Sequence, residues 1–112
     1  MNDRVLSFLG ICRRAGKLVI GAQVVETSVA EGRSRLVLYA GDASENSLKR
    51  VRRAAQQTGV PVRCAGRGKD ALSAALGRLC AVLSVEDPGF AGKLCDLLDA
   101  EDSAPSAALT EQ

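Results

Sequence analysis

Apolar positions along the chain alternate between helical spacing and short continuous runs, so the pattern predicts helices and strands in turn. Asn2 or Asp3 is expected to cap a first helix, whose apolar residues recur until Gly16 ends it. The later elements are predicted as strand 18–20, helix 21–31, strand 35–40, helix 42–58, strand 61–65, helix 69–76, strand 80–85 and a last helix that ends at residue 98.

Two of the predicted helix starts depend on aspartates. Asp42 stands three residues before Glu45, the spacing of a capping box, and is expected to open the third helix. Asp87 precedes Pro88, a residue that is favoured in the first turn of a helix. We interpret Glu86 and Asp87 as capping groups of the last helix rather than as a general acid and base.

The alternation of helices and strands predicts an α/β fold. Short connections between the elements favour a three-layer α/β/α sandwich, with a mixed sheet of about four strands and helices on both faces. At 112 residues the chain has the size of one domain, which we assign to residues 1–98. Residues 99–112 are small and acidic, a composition typical of a disordered tail.

The composition excludes several kinds of chemistry. Histidine is absent, which removes Ser-His and Cys-His nucleophile pairs, histidine general bases and histidine-containing metal sites. The four cysteines form no CxxC pair and lie in apolar contexts, so we expect buried, reduced thiols rather than metal ligands. Aromatic residues make up only 3% of the chain, which disfavours the stacking of bases on aromatic platforms. We therefore predict no catalytic residue, no metal and no cofactor.

Two glycine-rich segments resemble phosphate-binding loops but do not match their spacing. Five residues lie between Gly10 and Gly16 where the nucleotide-binding loop has four between its glycines, and Leu18 stands where that loop needs a hydroxyl residue. The segment 66–69 lacks the first glycine of the motif. Nucleotide hydrolysis is not expected, and the chain is predicted not to be an enzyme.

The net charge of +2 conceals an uneven distribution. Residues 1–69 carry a net charge of +8, and residues 70–112 carry −6. Such asymmetry indicates binding of a nucleic acid or another anionic surface by the basic part, although solvated helix faces and an acidic tail explain it as well. Since no signal segment or long apolar run is present, we predict a cytoplasmic protein without membrane contact.

A candidate anion site lies at the start of the second helix. Gly21 directly follows a predicted strand, so the free backbone N–H groups of the helix are available to a phosphate. Arg13, Arg14 and Lys17 precede this turn and are expected to lie beside it. The alternative is that Gly21 only makes a tight turn and that the cations are solvated.

The residues around this turn resemble a known family. The run 9–21 (Leu-Gly-Ile-Cys-Arg-Arg-Ala-Gly-Lys-Leu-Val-Ile-Gly), the segment 33–48 and the later segments Gly-Val-Pro-Val, Gly-Lys-Asp-Ala-Leu and Asp-Pro-Gly-Phe-Ala are similar to YlxQ-type bacterial proteins. These proteins belong to the ribosomal-protein L-seven-Ae and L-thirty-e superfamily, and the similarity extends over about residues 3–98. The resemblance implies an α/β/α sandwich that binds structured RNA, with kink-turns as the best-known targets of the family.

The resemblance carries over unevenly to the contact residues. In the kink-turn binders of the family the helix begins Gly-Thr-Asn-Glu, and its Asn and Glu and a later Lys contact sheared G·A pairs. Gly21 is retained here, whereas Ala22, Gln23, Val24 and Thr27 replace the other residues. Gln23 still offers an amide to a base edge, but Val24 cannot accept a hydrogen bond from guanine, and packing against a neighbouring helix is an equal alternative for its side chain. The second contact of the family, an apolar loop before the last strand, is shortened to residues 77–79.

Two functional hypotheses follow. The first is a non-catalytic, cytoplasmic, monomeric protein that binds ribosomal or other structured RNA, with ribosomal proteins as further partners. Its predicted RNA contacts are Arg13, Arg14, Lys17, Gly21, Ala22, Gln23, Val24, Thr27, Arg33 and Arg35. The alternative is a protein interaction module without direct RNA contact, which docks through the acidic C-terminal end and Val24.

Overall fold

The computed structural model describes residues 3–109, with side chains described as far as Glu101. Helices and strands alternate in the predicted order. The elements are α1 (Arg4–Arg14), β1 (Leu18–Ile20), α2 (Ala22–Ala30), β2 (Leu36–Tyr39), α3 (Glu45–Thr58), β3 (Val62–Cys64), α4 (Lys69–Leu76), β4 (Val82–Val85) and α5 (Pro88–Leu109).

The four strands form one mixed sheet in the order β1-β4-β2-β3. Strand β4 lies between β1 and β2 and is antiparallel to both, with Val85 opposite Leu18 on one side and Leu36 on the other. Strand β3 is parallel to β2, so α3 crosses back over the sheet to connect them. The predicted mixed sheet of four strands is confirmed.

Helices cover both faces of this sheet, as predicted for a three-layer sandwich. Helices α1, α4 and α5 pack on one face, where they bury the side chains of Leu36 and Leu38 of β2. Helices α2 and α3 pack on the other face over Val37 and Val82. Because both faces are covered, β2 and β4 are almost continuously apolar, with one exception in β4.

That exception is Ser84, which belongs to a buried cluster of three serines beneath α2. The Ser84 hydroxyl donates to Ser34 Oγ at 2.7 Å and lies 3.0 Å from the hydroxyl of Ser28. Ser28 in turn donates to Glu86 Oε2 at 2.7 Å. The cluster satisfies its own hydrogen-bonding groups, which is what makes polar side chains tolerable in this core.

The aspartate caps are only partly as predicted. Asp3 accepts a hydrogen bond from the Leu6 N–H at 2.9 Å and Asp87 one from the Phe90 N–H at 2.9 Å, so both cap their helices. The prediction that Asp42 opens the third helix is wrong. Ser44 caps α3, whereas Asp42 accepts from the Lys69 N–H at 2.8 Å and so caps α4, because the chain after β3 returns to this loop.

Glu86 has a different role from the capping role that the sequence suggested. Its Oε2 accepts hydrogen bonds from Ser28 Oγ and, at 3.3 Å, from Arg33 Nε. Arg33 also forms an ion pair with Glu31. Glu86 therefore joins the end of β4 to the C-terminal end of α2 instead of capping α5.

The last helix does not end at Leu98, as predicted, but continues to Leu109. Two of its acidic residues pair with arginines near β3. Asp99 lies 2.9 Å from Arg63, and Glu101 accepts from Arg67 at 2.8 Å. The acidic end of the chain is thus partly neutralised by the basic part, an arrangement that linear charge counting cannot reveal. Residues 110–112, the end of the predicted tail, lie outside the described residues.

Arg67 also binds the N-terminal cap. It donates to both carboxylate oxygens of Asp3 at 2.9 Å, so one guanidinium joins the start of α1 to Glu101 of α5. Partial burial raises the pKa of Asp3, but hydrogen bonds from Arg67 and the Leu6 N–H outweigh this effect and hold it below its usual value. The hydrogen bonds from Arg67 likewise lower the pKa of Glu101.

Candidate functional site

The start of α2 lies beside the loop that enters β4. The Gly21 N–H donates to the Val82 carbonyl at 3.0 Å, which fixes the turn from β1 into α2 against that strand. Gly21 has φ 114° and ψ 140°, a backbone conformation that is essentially restricted to glycine. We call the surface formed by residues 21–24 and 77–81 the Gly21 end of the sheet.

The first turn of α2 is open to a ligand. No side chain caps this helix, so its first backbone N–H groups have no side-chain acceptor and are available to an anion. Gln23 is exposed, and the side chain of Val24 is 47% exposed. About half of the Val24 side chain is therefore accessible to a ligand, and the rest is covered by the protein.

The loop before β4 completes the Gly21 end with an apolar residue. Leu79 is 80% exposed, although the next residue, Cys80, is buried and its N–H is held by Ser73 Oγ at 2.9 Å. The Arg13 guanidinium lies against this loop, since a Cβ atom placed on Gly77 would be 3.2 Å from Nη1 of Arg13. Together with the adjacent Arg13, the Gly21 end thus offers backbone donors, a cation, an amide and two exposed apolar side chains.

Leu79 and the adjacent Arg78 were not among the contacts predicted from the sequence. Both are exposed in the loop that follows Gly77, where the chain ends α4 in the left-handed conformation. The available signal was an apolar residue that fits neither the period of α4 nor that of β4. That residue falls within the shortened loop that the family resemblance had pointed to.

Three predicted contact residues lie at the opposite end of the sheet. The Lys17 carbonyl accepts from the Glu86 N–H at 2.8 Å, and the Arg35 N–H donates to the Val85 carbonyl at 2.8 Å. Arg33 is bound to Glu86 at the same place. The expectation that Lys17 lies beside the Gly21 turn is wrong, because strand β1 separates the two residues by about 13 Å.

Two further predicted residues lie elsewhere. Thr27 is exposed one turn after Gln23, and its hydroxyl donates to the Gln23 carbonyl at 3.1 Å, so it extends the exposed face of α2. Arg14 lines a separate depression between α1 and α4, next to Ala75. Of the predicted set, the structure therefore brings together Arg13, the first turn of α2 and Thr27.

The thiols and carboxylates do not form a reactive centre in the described part of the chain. Burial raises the pKa of the Cys12 and Cys80 thiols to about 11 each, as expected for reduced cysteines in a core. The prediction of burial is wrong for Cys64, which is exposed, and Cys95 is only partly buried. Among the described residues, no three Cys, Asp or Glu side chains are grouped to hold a metal ion.

No helix in the described part of the chain has the length and apolarity needed to cross a membrane. The chemistry that the Gly21 end offers is hydrogen bonding to an anion through backbone N–H groups, together with amide and apolar contacts.

Comparison with known proteins gives a consistent pattern over most of the chain. The model of the ribosomal protein L7Ae/L30e/S12e/Gadd45 family matches residues 3–95. The chain is 36% identical to the RNA-binding protein YlxQ of Bacillus subtilis over 92 residues, which are 81% of this chain and 91% of that protein. It is 29% identical to the RNA-binding protein YlxQ of Enterococcus faecium over 99 residues, which are 88% of this chain and 94% of the relative.

Solved structures show the same fold. A Bacillus halodurans protein, described as having unknown function, superposes with a TM-score of 0.81 and 31% identity over 88% of this chain and 99% of its own. The 15.5kD RNA binding protein of Giardia lamblia superposes with a TM-score of 0.64 over 87% of this chain and 92% of its own. At 23% identity, the second likeness is evidence for the fold alone.

Proposed function

This chain belongs to the ribosomal protein L7Ae/L30e/S12e/Gadd45 family, and on that basis we propose that it is a non-catalytic protein that binds structured RNA through the Gly21 end of the sheet. The observation that carries the proposal is the position of Leu79. This leucine is 80% exposed in the loop that leads to Val82, whose carbonyl binds the Gly21 N–H at the uncapped start of α2, so its side chain is open to a base. The name of the two YlxQ relatives, RNA-binding protein, supports the same function.

Each group at the Gly21 end has a distinct part in the proposed complex. The first backbone N–H groups of α2 and the Arg13 guanidinium hold phosphate oxygens, which positions the RNA without reading its sequence. The Gln23 amide donates to and accepts from the edge of an unpaired base. Val24 and Leu79 pack against the faces of bases turned out of the helix stack, since few aromatic side chains are available for stacking.

The RNA that fits this surface is a helix interrupted by an asymmetric internal loop. Such a loop turns bases out of the stack and bends the backbone, so that one short surface can contact both. We propose kink-turn-like or ribosomal RNA as the target, bound in the cytoplasm by a monomer. Because Val24 has no acceptor for guanine, shape and phosphate contacts replace part of the direct recognition of G·A pairs.

The experiment compares two RNA probes and two protein variants. One probe is a synthetic RNA duplex with an asymmetric internal loop that contains tandem G·A pairs, and the other is the same duplex fully paired. The variant Gln23→Ala/Leu79→Ser removes side chains at the Gly21 end. The control Lys17→Gln/Arg35→Gln removes two charges from the opposite end of the sheet.

We expect the wild type to prefer the looped RNA, and the Gln23/Leu79 variant to bind it at least about tenfold more weakly, since a bidentate amide contact to a base edge contributes about 1–3 kcal/mol. The control is expected to retain the preference for the loop. Equal affinity of the wild type for both probes, or equal losses in both variants, contradicts the proposal. The structure also weakens the protein-docking alternative, because Asp99 and Glu101 already pair with arginines of the same chain.

A further inference from the structure

The outer face of α3 is a basic surface that the proposed RNA site does not include. Its cations and amides recur three, four and seven residues apart, which places them on one side of the helix. Together they line one shallow depression, formed by Glu45, Asn46, Lys49, Arg52, Arg53 and Gln56. We call this surface the α3 face.

Most of the positive charge on the α3 face is not used inside the protein. The neighbouring Arg50 pairs with Glu26 at 2.8 Å and so fastens α3 to α2. Among the described side chains, no carboxylate lies within 4.0 Å of the cationic nitrogens of Lys49, Arg52 or Arg53. Three cations on one helix face repel one another, and an external anion removes that repulsion.

Arg52 is held in place without being neutralised. Its guanidinium carbon lies 5.3 Å from the centre of the Tyr39 ring, a distance at which a cation is attracted to the ring face. The aromatic contact restricts the side chain but accepts none of its N–H groups. The guanidinium is thus oriented before an anion arrives, which reduces the entropy lost on binding.

The α3 face begins at the same end of the sheet as the proposed RNA site. The residue after β2, Ala40, donates its N–H to the carbonyl of Ala81 at 2.8 Å, so the segment that leads into α3 lies beside the loop before β4. From there α3 runs away from the Gly21 end for 14 residues, about 21 Å. Helices α2 and α3 cover the same face of the sheet, so a rod-shaped ligand can contact both.

We propose that the α3 face binds the phosphates of a duplex arm of the same RNA whose internal loop occupies the Gly21 end. The inference rests on the proposed function and extends it, since it assigns a direction to the bound RNA. The face suits a phosphate backbone because it combines Lys49, Arg52 and Arg53 with two amides. It does not suit insertion into lipid, since the exposed large apolar side chains among the described residues are Ile11, Val24 and Leu79, all outside α3.

The test uses the full chain and two looped RNA probes that differ in the length of one arm. The long arm has about ten base pairs, which makes it longer than the roughly 21 Å of α3, and the short arm ends next to the loop. The variant Lys49→Gln/Arg53→Gln removes two charges from the α3 face. The control Arg4→Gln/Lys93→Gln removes two charges from exposed residues of α1 and α5, on the other side of the sheet.

We expect the Lys49/Arg53 variant to bind the long-arm RNA roughly tenfold more weakly and to lower the slope of log affinity against log salt by about 2. Its affinity for the short-arm RNA should equal that of the wild type, and its urea midpoint should not fall below that of the wild type, because the substitution relieves repulsion between like charges. The affinities of the control for the long-arm and the short-arm RNA should each stay within about twofold of the wild type, because exposed charges distant from the RNA are screened by salt.

Equal affinities of the wild type and the Lys49/Arg53 variant for the long-arm RNA overturn the inference while leaving the proposed function intact. The same holds if the variant and the control weaken binding alike, or if the loss is equal on both probes. If the wild type binds vesicles of phosphatidylglycerol and phosphatidylcholine, and the Lys49/Arg53 variant loses this binding while its RNA affinity is unchanged, the α3 face binds lipid. That result also overturns the inference. If the wild type binds neither RNA, both proposals fail.

Discussion

The backbone N–H of Gly21 donates to the carbonyl of Val82 at 3.0 Å, and this one hydrogen bond places the start of α2 next to the start of β4. The two segments are far apart in the chain but form one surface, because β1 and β4 are neighbours in the sheet. The loop that carries Leu79 leads directly into β4. The proposed RNA site therefore depends on the geometry of the Gly21 turn.

Gly21→Ala should lower the free energy of unfolding by about 1–3 kcal/mol, because alanine is strained at φ 114°. No atom lies within 4 Å of the position that the new Cβ would take, so the cost comes from the backbone alone. Urea unfolding followed by circular dichroism measures the change. The control Gly10→Ala lies inside α1, also in open space, and should be neutral or stabilising by up to about 1 kcal/mol. Equal effects of the two substitutions would refute this explanation.

Ser28→Ala should destabilise the protein by about 1–2 kcal/mol. The substitution leaves Glu86 without the donor that lies at 2.7 Å and removes the hydroxyl 3.0 Å from Ser84, so buried polar groups lose partners. Ser7→Ala, at an exposed position of α1, should change the stability by less than about 0.5 kcal/mol. Thermal unfolding monitored by calorimetry compares the two variants, and a Ser28 variant as stable as the wild type contradicts the prediction.

Arg67 should make the stability sensitive to acid. The pKa values of Asp3 and Glu101 are lower in the folded protein than in the unfolded chain, so both carboxylates favour folding above their unfolded values of about 3.9 and 4.3. The stabilisation by these two carboxylates begins to decline as the pH falls below about 4. It is lost completely once the pH has fallen through their lowered pKa values in the folded protein. Arg67→Ala should lower the free energy of unfolding by about 2 kcal/mol at neutral pH. It should also make the decline of that free energy below about pH 4 less steep.

Urea unfolding at a series of pH values tests the Arg67 prediction. The control is Arg14→Ala, which removes an exposed arginine of α1 that lies in the depression between α1 and α4. That variant should follow the pH dependence of the wild type. If the Arg67 variant showed the same acid sensitivity as the wild type, the two carboxylates would not be linked to folding through this guanidinium.

The four cysteines should differ sharply in their reactivity toward Ellman's reagent. Cys64 is exposed and should react first, and Cys95, which is partly buried, more slowly. Cys12 and Cys80 are buried, and their thiol pKa values of about 11 leave little thiolate, so they should react only after unfolding. Cys64→Ser should abolish the fast phase and no other. A fast phase of more than one thiol in the wild type would be inconsistent with this burial.

The order of the elements could be predicted from the chain because hydrophobic period and turn residues are local properties. The run over β2 predicted a strand covered on both faces, and the glycine after β1 predicted the turn into α2. Capping was less certain. Asp42 and Ser44 are both suitable caps, and only the return of the chain after β3, which brings the Lys69 N–H to Asp42, decides between them.

In the candidate site, too, some features could be predicted from local sequence and others depend on the tertiary structure. Gln23 and Thr27 could be placed on one exposed face because their spacing is that of one helical turn. The grouping of Lys17 with Gly21 was wrong, since residues close in sequence lie at opposite ends of a strand. Leu79 joins the Gly21 end only through the pairing of β4 with β1, and sequence period carries no information about strand order.

By itself, the sequence determined the alternating α/β architecture, the glycine turn at the start of α2 and the lack of histidine chemistry. Each of these depends on the identity or local spacing of residues. The tertiary structure alone decided which charges remain available to a ligand. Arg63 and Arg67 pair with acidic residues of α5, whereas Lys49, Arg52 and Arg53 of the α3 face form no ion pair with any described side chain. The reason is that electrostatic interactions depend on distance in space, which the strand order β1-β4-β2-β3 sets and the linear order of charges does not.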